Sequence, residues 1–154
     1  MSHPVVKGKT IVGDFQEANK AIVMRHMLEA CGQQRPEVWL EIMHPDYRIH
    51  HPWAQPGREA YMAACATYWT TISPPRYEFL SVMAEGDEVM VHYIEYGTML
   101  GPMFGVDATG KTYRKKGFVR YRIEQGLMRE GWCLEDDLGF MQQLGITDYN
   151  LAPP

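Results

Sequence analysis

The hydrophobic pattern of this chain changes period once, at the run Ser73-Pro74-Pro75. Before that run, apolar residues recur every three to four positions, as on one face of a helix. After it, β-branched and aromatic residues alternate with more polar ones, as in strands that bury one face. Helices followed by a run of antiparallel strands predict an α+β fold, with the helices on one side of a curved sheet.

Caps, prolines and glycines divide the two halves into elements. Asp14 and Glu17 form a capping-box pattern at the start of a first helix that runs to Gly32. Pro36 suits the first turn of a short second helix, and residues 58–72 form a third. Predicted strands cover residues 47–50, 77–83, 89–96, 111–123 and 128–136. We expect a polar N-terminal arm over 1–13, a single domain over 14–145 and a C-terminal tail over 146–154.

Composition narrows the class of protein. The chain has 154 residues, 45% hydrophobic and 22% charged, which is typical of one globular domain. No apolar run approaches the roughly 18 residues that span a bilayer, and the first nine residues lack the apolar core of a signal peptide. The net charge of -4 gives no general attraction to nucleic acid. We expect a cytoplasmic protein that binds neither nucleic acid nor membrane, with reduced, buried cysteines at Cys31, Cys65 and Cys133.

Three consecutive carboxylates, residues 135–137, stand beside a tryptophan at the end of the last predicted strand. Alternation along the strand puts Asp136 on the face of Trp132 and Leu134, while Glu135 takes the other face. A carboxylate among apolar residues has a raised pKa, which suits a general base. The alternative is that the three carboxylates form a solvated acidic turn.

Several short motifs follow one another over roughly residues 15–145: Pro45-Asp46-Tyr47 with His50, Gly57-Arg58-Glu59, Ala84-Glu85-Gly86-Asp87, Gly97 to Gly105, Ala108-Thr109-Gly110-Lys111, Glu130-Gly131-Trp132 with Asp136, and Gln142-Gln143-Leu144-Gly145. Together they resemble the SnoaL-like polyketide cyclase family, which has the nuclear transport factor 2 fold. The resemblance implies a cone-shaped α+β barrel, in which a strongly bent, mainly antiparallel six-stranded sheet packs on three N-terminal helices around a pocket. It also implies a homodimer through the sheet, and an aspartate at Asp136 that removes a proton from a polyketide without metal or organic cofactor.

Other candidate site residues accompany Asp136. His50 matches the family pattern and is expected to donate a hydrogen bond to an enolate or to relay a proton. His92 is expected in the pocket or at an interface, and Trp132 as both core and pocket wall. The remaining predicted substrate contacts are Glu130, Phe118, Trp39 and Trp69. No metal is expected, because the histidines lack carboxylates at helical spacing.

The positions of Arg120 and Arg122 depend on the turn before the last strand. A three-residue turn at 124–126, with a glycine bulge, puts both arginines on the face of Asp136 and places Arg120 beside Glu130 and Arg122 beside Met128. A two-residue turn at 125–126 instead brings to that face Val119, Tyr121 and Ile123. We prefer the longer turn, which makes Arg120 a substrate contact and Arg122 an oxyanion-stabilising residue. A cross-strand ion pair is the alternative role.

These features support three hypotheses for the function. The first is a cofactor-independent cyclase or isomerase that removes a proton from a hydrophobic, ketone-bearing molecule, with Asp136 as base and His50 and Arg122 stabilising the oxyanion. The second is a non-catalytic small-molecule-binding or dimerisation module in which Asp136 caps a helix. The third is an epoxide-hydrolase-like enzyme that activates water with two carboxylates flanking an arginine.

Overall fold

The order of helices and strands follows the change of period in the sequence, and the predicted α+β class is confirmed. The computed structural model describes residues 5–51 and 54–147, with the backbone alone for residues 5–12. The helices are α1 Val5–Arg25, continued by a π-helical turn His26–Cys31, then α2 Glu37–Ile42, α3 Arg58–Trp69 and α4 Asp137–Leu144. The strands are β1 Met43–His50, β2 Arg76–Glu85, β3 Glu88–Thr98, β4 Thr112–Glu124 and β5 Leu127–Glu135.

Helix α1 begins well before the predicted cap at Asp14. Between Val5 and Asp14 the chain has no proline, and a glycine inside a helix costs only about 1 kcal/mol, so nothing there stops the helix. Asp14 lies within the helix and does not cap it, so that prediction was wrong. Helix α2, in contrast, begins after Pro36 as predicted.

The strands form one sheet in the order β1-β5-β4-β3-β2. Strand β1 runs parallel to β5, and the other neighbours are antiparallel. The sheet is curved and does not close, which matches the predicted cone except that five strands are present in the described residues instead of six. Helices α1 to α3 pack on its concave side, as expected.

The turn between β4 and β5 has two residues, so the preferred register was wrong. Glu124 pairs with Leu127, and the central residues Gln125 and Gly126 have φ of 51° and 79°. These are the positive values of a tight hairpin turn, in which glycine is favoured. A bulge at Arg129 then shifts the register by one residue, so that Arg122 pairs with Glu130 and Arg120 with Trp132, and both arginines share the face of Trp132 as the longer turn predicted.

This register decides which side chains face the helices. On the concave side, which we call the inner face, lie Val89, Val91, Tyr93, Glu95, Tyr113, Lys115, Val119, Tyr121, Ile123, Met128, Cys133 and Glu135. On the convex side, the outer face, lie His92, Phe118, Arg120, Arg122, Glu130, Trp132 and Leu134. The inner face holds the main core, together with α1, α2 and the π-helical turn.

A second, smaller core lies under α4. Phe140, Met141 and Leu144 pack there with Ile72 and Met99. Ile146 is fully buried in the same cluster, so the predicted tail starts with a packed residue, and residues 148–154 lie outside the described part of the chain. No helix in the described ranges has the length and apolar character needed to cross a bilayer.

Candidate active site

The inner face carries three charged side chains where strands β3, β4 and β5 run side by side. Glu95 of β3 pairs in register with Lys115 of β4. Two residues further along β4, Gly117 pairs with Glu135 of β5. Lys115 Nζ lies 2.8 Å from a Glu135 carboxylate oxygen. Glu95 and Lys115 are only 6% and 7% exposed. A charge this deeply buried persists only when it is paired, so these residues form one electrostatic unit.

Two tyrosines donate hydrogen bonds to the carboxylates of this unit, and the ring of each lies over a glycine of the neighbouring strand. Tyr93 donates a short hydrogen bond to Glu135, and a Cβ on Gly117 would lie 2.8 Å from the Tyr93 ring. Tyr113 Oη donates to Glu95 over 2.7 Å, with its ring against Gly97. Because glycine has no side chain, each phenol can lie flat across the neighbouring strand and reach the carboxylate.

The two carboxyls have pKa values displaced in opposite directions. Burial raises the pKa of Glu95, and the Lys115 charge only partly opposes this. Burial also acts to raise the pKa of Glu135, but the Lys115 charge and the hydrogen bonds from Lys115 and Tyr93 outweigh it and hold that pKa below its usual range. Lys115 itself has a raised pKa, since both carboxylates outweigh its burial. The unit therefore holds an ionised Glu135 beside the more easily protonated Glu95.

Helix α3 packs over the inner face without becoming fully buried there. None of its residues is fully buried, although Tyr61, Cys65 and Trp69 pack against the core. The side chains opposite, which include Tyr77 and Cys133, are also only partly buried. The inward-facing side chains of α3 and of the sheet therefore both keep solvent-accessible surface.

The cysteines line this interior as thiols and not as nucleophiles. Burial raises the pKa of Cys65 to about 12 and raises that of Cys31 and Cys133 as well, so all three stay protonated. They are free, as predicted, but retain partial exposure. In residues 5–51 and 54–147, no group of three or more His, Cys, Asp and Glu side chains is arranged to hold a metal ion.

A second polar group lies deeper in the core. His26 in the π-helical turn is 2% exposed, and its Nδ1 accepts a 2.8 Å hydrogen bond from Trp39 Nε1. Its Nε2 lies 3.0 Å from Tyr121 Oη. Burial lowers the pKa of His26 to about 3, so the ring is neutral at pH 7. His26 was not among the site residues predicted from the sequence.

The outer face contains most of the residues that were predicted from the sequence to form the site. Trp132 stacks on His50 at 4.6 Å between ring centroids, and the guanidinium carbon of Arg120 lies 4.1 Å from the centroid of the Trp132 ring. His92 stacks on Phe118 at 4.1 Å. Arg122 does not share a face with the inner carboxylates; its Nε lies 2.9 Å from Glu130, as a cross-strand ion pair. Of the predicted substrate contacts, the inner side holds Trp39 and Trp69.

Asp136 lies at the end of β5 as the N-cap of α4. Its Oδ1 accepts a 2.9 Å hydrogen bond from Gly139 N, and the residue is exposed. Its expected burial among apolar side chains is contradicted, because the face it shares with Trp132 and Leu134 is the outer one. The carboxylate that turns inward is its neighbour, Glu135.

Comparison with known proteins agrees with this architecture. The family model of the SnoaL-like polyketide cyclases matches residues 21–144. The chain belongs to that family. The resemblance drawn from its motifs is thereby confirmed, and the matched range includes the interior unit and α4.

Solved structures with a similar fold match most of the chain. TsrD from Streptomyces laurentii is 28% identical, with a TM-score of 0.76 over 84% of this chain and 97% of that one. A SnoaL-like polyketide cyclase from Jannaschia sp. CCS1 is 26% identical, with a TM-score of 0.77 over 90% and 95%. IdmH from Streptomyces antibioticus, at 22% identity, has a TM-score of 0.71 over 82% and 98%, and shows likeness of fold alone. No curated protein matches this sequence.

Sequence reasoning missed Glu95, Lys115 and Glu135. The usable signal was in β4, where every second residue from Tyr113 to Ile123 is aromatic, aliphatic or glycine except Lys115. A lysine in that row belongs to the buried face and requires a carboxylate partner. To recognise it, one had to know that the helices cover this row and not the row of Arg120 and Arg122.

Proposed function

We propose that this protein is a small-molecule enzyme that removes a proton from the carbon next to a ketone in an apolar substrate, with Glu135 as general base. One observation carries the proposal: on the inner face Lys115 forms an ion pair with Glu135 and lies in register with Glu95, and the pKa values of the two carboxyls are displaced in opposite directions. Pairs of titratable groups with separated pKa values mark acid and base roles in enzyme sites. The chain's membership of the SnoaL-like polyketide cyclases supports the same class of reaction.

The proposed step moves one proton and one electron pair. The Glu135 carboxylate takes the proton from the carbon, and the electrons of that C–H bond form an enolate. Glu95, whose protonated form is favoured by burial, donates its proton to an oxygen of the substrate when the enolate attacks a second carbonyl group or rearranges. Lys115 keeps Glu135 ionised, and no external oxidant or reductant is required.

Asp136 remains the competing candidate for the base. It occupies the position that the family resemblance implies, yet it is exposed and accepts the Gly139 N–H. The adjacent residues therefore make a matched pair of variants, Glu135→Gln and Asp136→Asn. Asparagine caps helices nearly as well as aspartate, so the second variant is expected to fold normally.

The experiment measures hydrogen–deuterium exchange next to the carbonyl group, by NMR in D2O, over a panel of apolar 1,3-diketones. Glu135→Gln is expected to lower the exchange rate roughly 100- to 10,000-fold, as loss of a general base does. Asp136→Asn is expected to retain it. The opposite result would assign the base to Asp136, and unchanged exchange in both variants would contradict proton abstraction by either carboxylate.

A second candidate is water activation of the epoxide-hydrolase kind. The observation in its favour is the order carboxylate, cation, carboxylate in Glu95, Lys115 and Glu135, with lysine where an arginine was expected. Small apolar epoxides in water labelled with oxygen-18 distinguish the two. Label in a diol product supports the hydrolase, whereas exchange of carbon-bound protons without a diol supports the base mechanism. A binding module would give neither.

We also propose that the protein forms a homodimer through the outer face. Phe118 is 45% exposed and Leu134 77% exposed on this face, with Met90 nearby, and exposed apolar patches of this kind mark interaction sites. Light scattering after size-exclusion chromatography tests this. Leu134→Glu is expected to give a monomer, and Leu100→Glu, in an exposed loop, to remain dimeric. A dimer that persists in the first variant would place the interface elsewhere.

A further inference from the structure

In the main core, the hydroxyls of Tyr47 and Tyr121 have protons that no described side chain accepts. Tyr47 is fully buried, and its Oη has no hydrogen-bond partner among the described residues. Tyr121 is also buried, and its Oη lies 3.0 Å from His26 Nε2. A buried hydroxyl without a partner gives up hydration without replacement, so each such group in a native protein requires an explanation.

The hydrogen bond from Trp39 to His26 determines where the hydroxyl proton of Tyr121 points. An indole N–H can only donate, so the 2.8 Å contact makes His26 Nδ1 an acceptor. The buried ring is neutral, and its one proton is therefore on Nε2. Nε2 donates that proton to Tyr121 Oη. The hydroxyl proton of Tyr121 must then point away from His26, and is free to be donated to another group.

The two phenols lie together below helix α3. Both rings cross Gly131, where a Cβ would be 2.6 Å from Tyr47 Oη and 3.0 Å from Tyr121 Cδ1. Tyr61 of α3 covers them, with its ring edge-on to Tyr47 at 5.2 Å. Cys133, which is partly exposed on the inner face, is close enough for a charge on its thiol to act on both phenols. The hydroxyls are thus neutral donors at the deep end of the interior.

We propose that Tyr47 and Tyr121 form a two-donor site for a substrate oxyanion, with His26 and Trp39 as positioning residues. Its part in turnover rests on the proposed proton abstraction, because the anion would be the enolate oxygen formed when Glu135 takes the proton. Preorganised donors at such an oxygen, when removed singly, reduce turnover roughly 100- to 1,000-fold. The ligand class is an apolar ring compound with one oxygen of high negative charge, such as an enolate or a phenolate.

The test compares the binding of 2-naphthol and naphthalene, which differ by one hydroxyl, using fluorescence titration. Tyr47→Phe and Tyr121→Phe are each expected to weaken 2-naphthol binding at least tenfold and to leave naphthalene binding within twofold. Tyr96→Phe is the matched control, since Tyr96 lies on the outer face and donates to Glu78 over 2.6 Å. It is expected to bind both probes as the unmodified protein does.

Stability separates a donor site from a structural hydroxyl. Tyr47→Phe removes a hydroxyl that has no partner, so its melting temperature is expected to be unchanged or higher while 2-naphthol binding falls. A structural hydroxyl would give a lower melting temperature. Tyr121→Phe leaves the His26 Nε2–H without an acceptor, which destabilises the fold. If that variant does not fold, Tyr47→Phe alone tests the donor site. Unchanged 2-naphthol binding in Tyr47→Phe overturns the proposal.

The positioning role of Trp39 has its own measurement. In the unmodified protein, nitrogen-15 shifts of the histidine ring are expected to show the proton on His26 Nε2. In Trp39→Phe we expect a mixture of the two tautomers, and a lower ratio of 2-naphthol to naphthalene affinity. Both probes bind without turnover. A lost preference for 2-naphthol over naphthalene is therefore independent of the hydrogen–deuterium exchange rate measured in Glu135→Gln. Either proposal can be contradicted while the other stands.

Discussion

The inner and outer faces of strands β4 and β5 carry similar residue types and behave differently. Each face has an ion pair between the two strands: Lys115 with Glu135 inside, and Arg122 with Glu130 outside. The side chains of the inner pair are 9% and 15% exposed, whereas those of the outer pair are 30% and 29% exposed. Water still solvates the outer charges, so only the inner pair depends on its partner.

This difference teaches that residue type alone does not identify the site. Histidine, arginine and tryptophan cluster on the outer face, where ring stacking and partly solvated ion pairs satisfy them. The inner face has fewer charges, but desolvation and a neighbouring cation displace their pKa values. Perturbed groups are the better indicator of function, and these lie on the face that looked like plain core.

The largest expected effect comes from the buried cation. Lys115→Met leaves two carboxylates in the core without their counter-charge, and breaking a buried ion pair costs about 3–5 kcal/mol. Lys116→Met is the control, because Lys116 is exposed on the outer face of the same strand; we expect a change within about 0.5 kcal/mol. Urea unfolding at pH 7 measures both. Equal losses in the two variants would show that the inner pair is no more important than a surface charge.

The next effect is a pH dependence caused by His26. Its pKa is about 3 in the folded protein and 6.5 in the reference state, so below pH 6.5 the unfolded chain binds a proton that the folded chain does not. Stability due to this group is fully present above pH 6.5 and is lost as the pH falls toward 3. At about 1.4 kcal/mol per pH unit, the loss from pH 6.5 to 4.5 is roughly 3 kcal/mol.

His26→Gln isolates this contribution. The variant is expected to be less stable at pH 7.5, because it disturbs the contacts with Trp39 and Tyr121, but its stability should fall less steeply between pH 6.5 and 4.5. Urea unfolding at several pH values gives the two slopes. Parallel slopes would mean that His26 is protonated in the folded protein as readily as in the unfolded chain.

A smaller effect tests the glycines that the tyrosines cross. Gly117→Ala puts a methyl group 2.8 Å from the Tyr93 ring and hydroxyl, and overpacking of this kind costs about 1–3 kcal/mol. Gly13→Ala is the control, because nothing lies within 4 Å of its position in α1; there alanine is expected to stabilise by up to about 1 kcal/mol. Thermal unfolding measures both. A neutral Gly117→Ala would show that Tyr93 can leave Glu135 without loss.

The sequence predicted the fold better than the site for a physical reason. The change of period at Pro74, the turn at Gly86 and the first turn at Pro36 are local effects, and each of those elements forms where predicted. The face of a strand depends on register, and one residue more or less in the turn at Gly126 exchanges the faces. Here the bulge at Arg129 offsets the shorter turn, so Arg120 and Arg122 share the face of Trp132 and Leu134 as predicted, but that face is the outer one.

Some features needed tertiary contacts that no local pattern contains. His26 was not predicted as part of a buried polar group, because Trp39 and Tyr121 approach it from distant parts of the chain. Glu135 and Asp136 are adjacent and chemically alike, and only the end of β5 and the start of α4 distinguish them. Prediction of this site therefore requires the hairpin register and the end of the last strand.

The smallest expected effect belongs to the outer ion pair. Arg122→Gln is expected to cost no more than about 1 kcal/mol, because partly solvated pairs gain little and salt screens them. A double-mutant cycle with Glu130→Gln isolates the pair, and its coupling energy should decrease as salt increases from 0.05 to 0.5 M, on the order of a fewfold change in screening length. A coupling of several kcal/mol that does not respond to salt would mean that the outer face is buried in the native assembly, which would itself support a dimer through that face.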